Sequence, residues 1–365
     1  MFGPSEMEIN MGPQHPSTHG VLRLKLKLDG EKIVETDPVI GYLHRGCEKL
    51  GEDRTYPQAI VYTDRMDYVA AFSENLVYTE AVEKLLGIEV PPRAQYMRVV
   101  LAELQRIASH LLWLATHALD LGAMTVFLYC FREREQILDL FEAYCGARLT
   151  LNATRIGGMY EDFPEGFAEE TRRFCEIFPG RIDDYHRLLT KNRIWLHRTK
   201  DVGIISGEDA LDWGLTGPCL RASGVSYDSR KAIPYEAYPD LDFDVPLGET
   251  GDTYDRYLVR MEEMRQCRRI ILQALDKMPD GPVRAKVGKR LKPPKGEVYQ
   301  VNEGPRGELG VYMISDGTER AYRCRFRSPC FVNLQALPVM AKGHLVADIV
   351  ALIGTLDVVL GCVDR

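Results

Sequence analysis

The chain contains no Cys-x-x-Cys pair. Its nine cysteines are scattered over 365 residues, a spacing that gives no zinc site, no iron–sulfur run and no disulfide framework. Thiols placed this way are expected to act as small buried apolar groups in a reducing compartment. No phosphate loop is present. Gly157-Gly158 lacks the strand–turn–helix spacing of a dinucleotide fingerprint, so nothing supports direct nicotinamide binding by this chain. No Gly-x-Ser-x-Gly nucleophile elbow occurs. Met1 to Asn10 has no apolar core behind a basic start, so no secretory signal is expected there. Leu345 to Val363 approaches the length of a membrane span, yet Asp348 and Asp357 lie inside it and Gly354 and Gly361 interrupt it. Carboxylates are costly in lipid, so buried core is the expectation. Excess positive charge is also missing. A formal charge of −7 argues against non-specific nucleic-acid binding.

What is present is an ordinary globular composition, 45% hydrophobic and 27% charged, long enough for two domains or one interlocked body. Leu22, Leu24, Leu26 and Leu28 alternate with Arg23, Lys25 and Lys27, the period of a half-buried strand. Asp29-Gly30 is a hairpin turn, Lys32 to Glu35 begins the return strand, and Pro38 limits it. Helical patterning covers Tyr68 to Leu86, capped by Gly87, and Arg93 to Ala118 after Pro91-Pro92. The second of these is apolar almost all round, as an inner bundle helix is. Further helices are expected at Thr125–Tyr144, Glu165–Phe178, Ile182–Leu196 and Tyr254–Lys277. The basic stretch Lys286 to Lys295 reads as a solvated loop. Strands then return at Val298–Val301, Gly310–Ile314 and Ala321–Arg327, followed by two helical segments. This order predicts an α+β fold. Residues 1–63 form an N-terminal antiparallel β region, 64–281 a central helical bundle, and 282–365 a C-terminal α/β region of mixed strands and helices.

Three places can carry chemistry. His15 and His19 lie four apart in Gly12-Pro13-Gln14-His15-Pro16-Ser17-Thr18-His19-Gly20, but Pro16 opposes a helix there. They are therefore not a helical metal pair; each is either a cleft residue or a structural one. Asp67 and Tyr68, at an expected helix start, offer a first-turn acid and a donor hydroxyl. Asp120 lies in an apolar stretch, where a carboxylate needs a partner or a proton. A capping or ion-paired acid and a functional acid both fit it.

Eight strings, taken in order, resemble one family over nearly the whole chain. They are the loop just quoted, continued by Val21-Leu22-Arg23-Leu24; Gly41-Tyr42-Leu43-His44-Arg45-Gly46; Asp64-Arg65-Met66-Asp67-Tyr68; His117-Ala118-Leu119-Asp120-Leu121-Gly122-Ala123; Gly214-Leu215-Thr216-Gly217-Pro218; Glu303-Gly304-Pro305-Arg306-Gly307-Glu308-Leu309-Gly310; Tyr322-Arg323-Cys324-Arg325; and Val363-Asp364-Arg365. These are similar to the 49-kilodalton-type subunit of respiratory complex I, known in bacteria as the D-type subunit of NADH-quinone oxidoreductase. That family shares its ancestry and fold with the nickel–iron hydrogenase large subunit, which holds its metal with a Cys-x-x-Cys pair near each end. Here Asp64 to Ala70 has no cysteine, and Asp357 to Arg365 keeps only Cys362, with Val359 three residues earlier. The resemblance thus implies a hydrogenase-shaped protein that binds no metal itself and whose cavity serves another electron acceptor.

By the same resemblance the acceptor is a quinone, menaquinone or ubiquinone. Its head is gripped by His19 and Tyr68, with Asp120 pairing the His. Arg45, Arg155 and His15 fall near the quinone pocket or a four-iron (4Fe-4S) cluster held by a partner subunit. The implied partners are that terminal-cluster subunit, a C-type neighbouring subunit and the membrane-arm subunit at the quinone channel, with no nucleic acid. The implied place is the cytoplasmic face of a bacterial membrane, as a peripheral part of a proton-translocating NADH:quinone oxidoreductase. The alternatives are a hydrogenase-like large subunit and the equivalent subunit of a ferredoxin- or deazaflavin-dependent enzyme. One departure stands out: after Gly146-Ala147-Arg148-Leu149 the family's His is replaced by Thr150.

Overall fold

In the computed structural model, residues 6–12 and 20–365 are described. Strands β1 (Glu6–Met11), β2 (Arg23–Asp29) and β3 (Lys32–Val39) form an antiparallel sheet in that order. The alternating leucines of β2 are buried, and its basic residues form the other face. β1 is a strand that the sequence pattern does not predict. Pro38 does not limit β3; it lies inside the strand, opposite Leu24. β3 is an edge strand, so a missing N–H costs the ladder little.

Helices α1 (Cys47–Asp53) and α2 (Tyr56–Thr63) lead to α3 (Ala71–Leu86). α3 starts three residues later than its apolar pattern suggests. Residues 64–70 form turns instead, because the Asp67 backbone carbonyl accepts from Ala70 N at 2.9 Å and its carboxylate from Val69 N at 3.2 Å. α4 (Pro92–Asp120) has Pro at its first position, where no helical N–H is lost. It is the axis of the bundle, packed among α3, α5 (Met124–Cys145) and α11 (Thr253–Lys277). A short hairpin, β4 (Thr154–Arg155) and β5 (Gly158–Met159), precedes α6 (Phe167–Leu189). The two helices expected around Pro179 merge, since α6 runs through that proline. Between α6 and α11 come the short helices α7 (Arg193–Thr199), α8 (Gly207–Asp212), α9 (Pro218–Arg221) and α10 (Ser229–Ala232).

Strands β6 (Gly296–Gly304), β7 (Gly307–Ser315) and β8 (Ala321–Arg327) form a second antiparallel sheet. Four short helices follow: α12 (Pro329–Leu334), α13 (Leu337–Ala341), α14 (Ile349–Leu356) and α15 (Leu360–Asp364). The apolar tail is divided at Asp357, which adopts φ 53°. Among the described residues, no helix is long and apolar enough to cross a membrane. The fold is thus α+β, with helices at the centre and a sheet toward each end of the chain. Eight of the nine cysteines are buried and Cys145 is half-buried.

Two features of the packing position the site. First, Leu22, Leu24, Leu26 and Leu28 share one core with Ile349, Leu352, Val359 and Leu360, so the early sheet lies on the late helices. The Gly41–Gly46 string is stitched to Val363–Arg365: Gly41 N and Leu43 N donate to the Asp364 carboxylate at 2.8 and 2.7 Å. Arg45 N donates to Arg365 O at 3.2 Å. Second, the inner side of α4 carries buried charge. Glu103 accepts from Arg106 and Arg230, and His110 Nε2 meets Glu263 Oε2 at 2.8 Å. Arg221 joins Glu263 to Glu303. The Arg106 and Arg230 guanidinium groups hold the Glu103 carboxyl down at about 2 despite burial.

His117, one turn before the end of α4, stacks on Trp113 at 5.4 Å and meets Trp195 edge-on. Burial, helped by Arg260, pushes its pKa down to about 3. An unfolded chain takes up that proton near pH ~6.5. The stabilising preference for neutral His117 is therefore complete above that pH and is lost as pH falls toward 3. His117→Phe keeps the stacking and removes the titration. Between pH 7 and 5, thermal or denaturant unfolding is expected to show the variant losing about 2 kcal/mol less than the parent chain.

Candidate functional site

Tyr68 stands in the turn before α3, half-buried, its ring packed on the backbone of the late helix α15. A Cβ placed on Gly361 would come within 3.2 Å of Tyr68 Cε1 and 2.6 Å of Met66 O. Glycine at that position is what lets the two segments touch. Arg45 fastens them from the side, its guanidinium donating to Leu43 O, Arg65 O and Gly361 O at 3.0, 2.8 and 2.9 Å. The Tyr68 hydroxyl makes no hydrogen bond to any described residue. Burial, and then the charge of Asp67, raises its pKa to about 12. It is a half-buried donor without an acceptor among the described residues, and a poor acid.

Behind Tyr68 sits a fully buried cation. Arg306 Nη1 donates to Asp67 Oδ2 at 3.0 Å and to Ser109 Oγ at 2.9 Å. Nη2 reaches Asp357 Oδ1 at 3.1 Å, and Nε reaches Asp357 O at 2.8 Å. One guanidinium thus joins the front turn, α4 and the residue between α14 and α15. Asp67 is consequently not the free first-turn acid that its place in the sequence suggests. Burial raises the Asp357 carboxyl to about 6 even with Arg306 pulling it down. Sequence alone did not single out Arg306, although it lies in one of the quoted strings. Asp357 left a clear signal, being a carboxylate inside an apolar run.

Cys362 faces the same interior. Its Sγ is 2.9 Å from Ser328 Oγ and 3.6 Å from Glu74 Oε1. Glu74 is buried, and desolvation pushes its pKa well up, with Cys362 adding to the shift. Asp67 and Asp357 are turned onto Arg306. Among the described residues, no group of three or more His, Cys, Asp or Glu side chains is placed to hold a metal ion. The donor set at this place therefore does not fit a four-thiolate metal centre.

The other expected site residues are distributed as follows. His15 and His19 lie outside the described residues. Gly20, directly after His19, abuts Leu360: a Cβ on it would sit 2.8 Å from Leu360 Cβ. Leu360 is the neighbour of the glycine beneath Tyr68. Asp120 ends α4 and is half-buried. Arg155 lies apart, in β4, where Nη1 donates to Asn152 Oδ1 at 2.5 Å and to Thr154 O at 2.9 Å. No hydrogen bond joins it to Arg45 or Tyr68. Thr150 adopts φ 52°, a left-handed conformation unfavourable for a β-branched residue.

Removing the cation is expected to strand two buried carboxylates. Arg306→Met should cost about 3–5 kcal/mol in denaturant unfolding. Adding Asp67→Asn should recover part of that loss, as a double-mutant cycle would register.

Comparison with known proteins gives a consistent outcome. The family described as the respiratory-chain NADH dehydrogenase 49 Kd subunit matches residues 120–293 and 285–365. The second of two D-type subunits of NADH-quinone oxidoreductase from Solibacter usitatus is 60% identical over 361 residues, covering 99% of this chain and 98% of the relative. The D-type subunit of Geotalea uraniireducens is 56% identical over 384 residues, with 98% of each chain covered. A D-type subunit of Thermodesulfovibrio yellowstonii is 51% identical, covering 98% of this chain and 96% of the relative. The chain belongs to the family of the respiratory-chain NADH dehydrogenase 49 Kd subunit, and is one subunit of an oxidoreductase complex.

Proposed function

We propose that the chain forms the quinone-reduction pocket of an NADH:quinone oxidoreductase, with Tyr68 and His19 as the two head-group ligands. The observation that carries this reading is the donor hydroxyl of Tyr68, which has no acceptor among the described residues and whose ring packs on Gly361. The contact of Gly20 with Leu360 adds support, because Gly20 directly follows His19 in the chain and lies against the same late segment. A quinone has carbonyl oxygens on opposite sides of its ring, so donors from two separate elements can grip it. Two-electron reduction needs two protons. His19 can release one near neutral pH, and the solvent supplies the other. Tyr68, at about 12, donates a hydrogen bond and keeps its proton. Asp120 holds the imidazole and favours its charged form. When His19 gives up its proton, the His19–Asp120 pair gains one negative charge, a change that can drive a conformational response.

A four-iron cluster in a partner subunit would supply the electrons. Arg45, Arg155 and His15 are assigned to the surroundings of that cluster or of the quinone. With Thr150 in place of a histidine, no imidazole at that position titrates with the cluster, which suits a low-potential quinone such as menaquinone. The complex is placed on the cytoplasmic face of a bacterial membrane, with this chain peripheral to it. The partners are the cluster-bearing subunit, a C-type neighbouring subunit and the membrane-arm subunit.

In the intact complex, Tyr68→Phe is expected to lower quinone turnover per KM about tenfold, the effect of one lost hydrogen bond of roughly 1.4 kcal/mol. His19→Ala should abolish quinone reduction while NADH oxidation by an artificial acceptor continues. Unchanged quinone kinetics in both variants would refute the assignment. Asp120→Asn should impair coupled proton pumping more than electron transfer; pumping at the parental ratio would remove Asp120 from the coupling step. A potentiometric titration should find the cluster midpoint nearly independent of pH, and a steep dependence would contradict the role given to Thr150.

A further inference from the structure

A cavity of about 500 Å³ lies between the β4–β5 hairpin and the segment after α11. Four cations line it: Arg155, Arg284, Lys286 and Lys289, with no carboxylate among the lining residues. None of the four makes an ion pair with any described residue. Arg155 is half-buried, and its pKa is lowered by burial and then by the charge of Arg284. The chain as a whole carries −7, so this concentration of uncompensated positive charge runs against its overall balance.

The backbone that carries Arg155 and Arg284 is held in place by hydrogen bonds. Residues 283–285 meet the hairpin through one antiparallel bridge, Arg284 opposite Gly158: Met159 N donates to Val283 O at 2.8 Å, and Ala285 N to Gly157 O at 2.7 Å. A Cβ on Gly158 would collide with the Val283 carbonyl, and one on Gly157 would sit 2.5 Å from Val287 Cγ2. The Gly157-Gly158 pair, which does not form a nucleotide fingerprint, thus lets the basic segment lie flat on the hairpin. Lys286 to Lys295 is therefore not merely a solvated loop. Its first half is one wall of a fixed concave surface, whose apolar side is made by Ile60, Ile156 and Leu291.

We propose that this cavity docks an acidic segment of a neighbouring subunit of the complex, its Asp or Glu side chains pairing with Arg155, Arg284, Lys286 and Lys289. Charge complementarity and fixed geometry select a carboxylate-bearing partner. The apolar side wall suits a polypeptide better than a hydrated inorganic anion. The chain's place in a multisubunit enzyme supplies such a partner. The proposal rests on that membership and not on the quinone ligands, so it stands or falls separately from Tyr68 and His19.

Zero-length carbodiimide cross-linking of the intact complex tests it, read by peptide mass spectrometry. The expected result is an amide bond from Lys286 or Lys289 to an Asp or Glu of another subunit. The exposed double variant Lys286→Glu/Lys289→Glu should then release that subunit at a lower salt concentration than the parent complex does, because rim charges set salt dependence. Lysines that link to no other subunit, together with unchanged subunit retention in the variant, would overturn the proposal. So would loss of inorganic phosphate binding in the variant with every subunit still retained, since the cavity would then be a small-anion site.

Discussion

Everything near Tyr68 depends on one buried guanidinium. Arg306 is enclosed by protein and touches three parts of the chain that no local rule brings together: the turn at Asp67, α4 at Ser109 and the break at Asp357. A charge in such a place is expensive unless paired and fully hydrogen-bonded. Arg306 is paired with two carboxylates and each of its three nitrogens donates, so the turn, the helix and the late segment have a shared reason to stay in register. A metal bound between front and rear segments would impose a similar constraint. Here a side chain imposes it, and the hydroxyl just beyond it has no partner among the described residues.

The same economy of charge extends along α4. Glu103, Arg106 and His110 face inward and meet Arg230, Arg221, Glu263 and Glu303 from segments far along the chain. Buried charges paired in this way favour one packing over its alternatives. The helix that ends in Asp120 is thus held against rotation by specific partners, as well as by the apolar core around it. A functional acid at its end inherits that rigidity.

Much of this architecture was legible in the residues. The leucine alternation of β2, the all-round apolar face of α4 and the late strands each carry a period that only one element satisfies. Other features left a weaker trace. β1 is short and mixed in character. Pro38 signals a strand end, yet an edge strand tolerates it. The apolar pattern of α3 begins at Tyr68, but hydrogen bonds at Asp67 hold residues 64–70 in turns until Ala71. The candidate site was legible through its strings. Their pairing was not: nothing local indicates that Gly41 and Leu43 bind Asp364, or that Gly361 lies beneath Tyr68.

By itself, the sequence determined which local conformations were possible and which chemistry was excluded. Periodicity and turn residues act over a few positions, and missing thiolates cannot be replaced by folding. Only the tertiary structure decided which charges meet. Arg306 and Asp67 are 239 residues apart, and Arg45 and Gly361 are 316 apart. Coulombic attraction and hydrogen bonding depend on distance in space, so a partner at that separation leaves no period in the sequence. It becomes identifiable when the folded chain brings the two groups within 3 Å of each other.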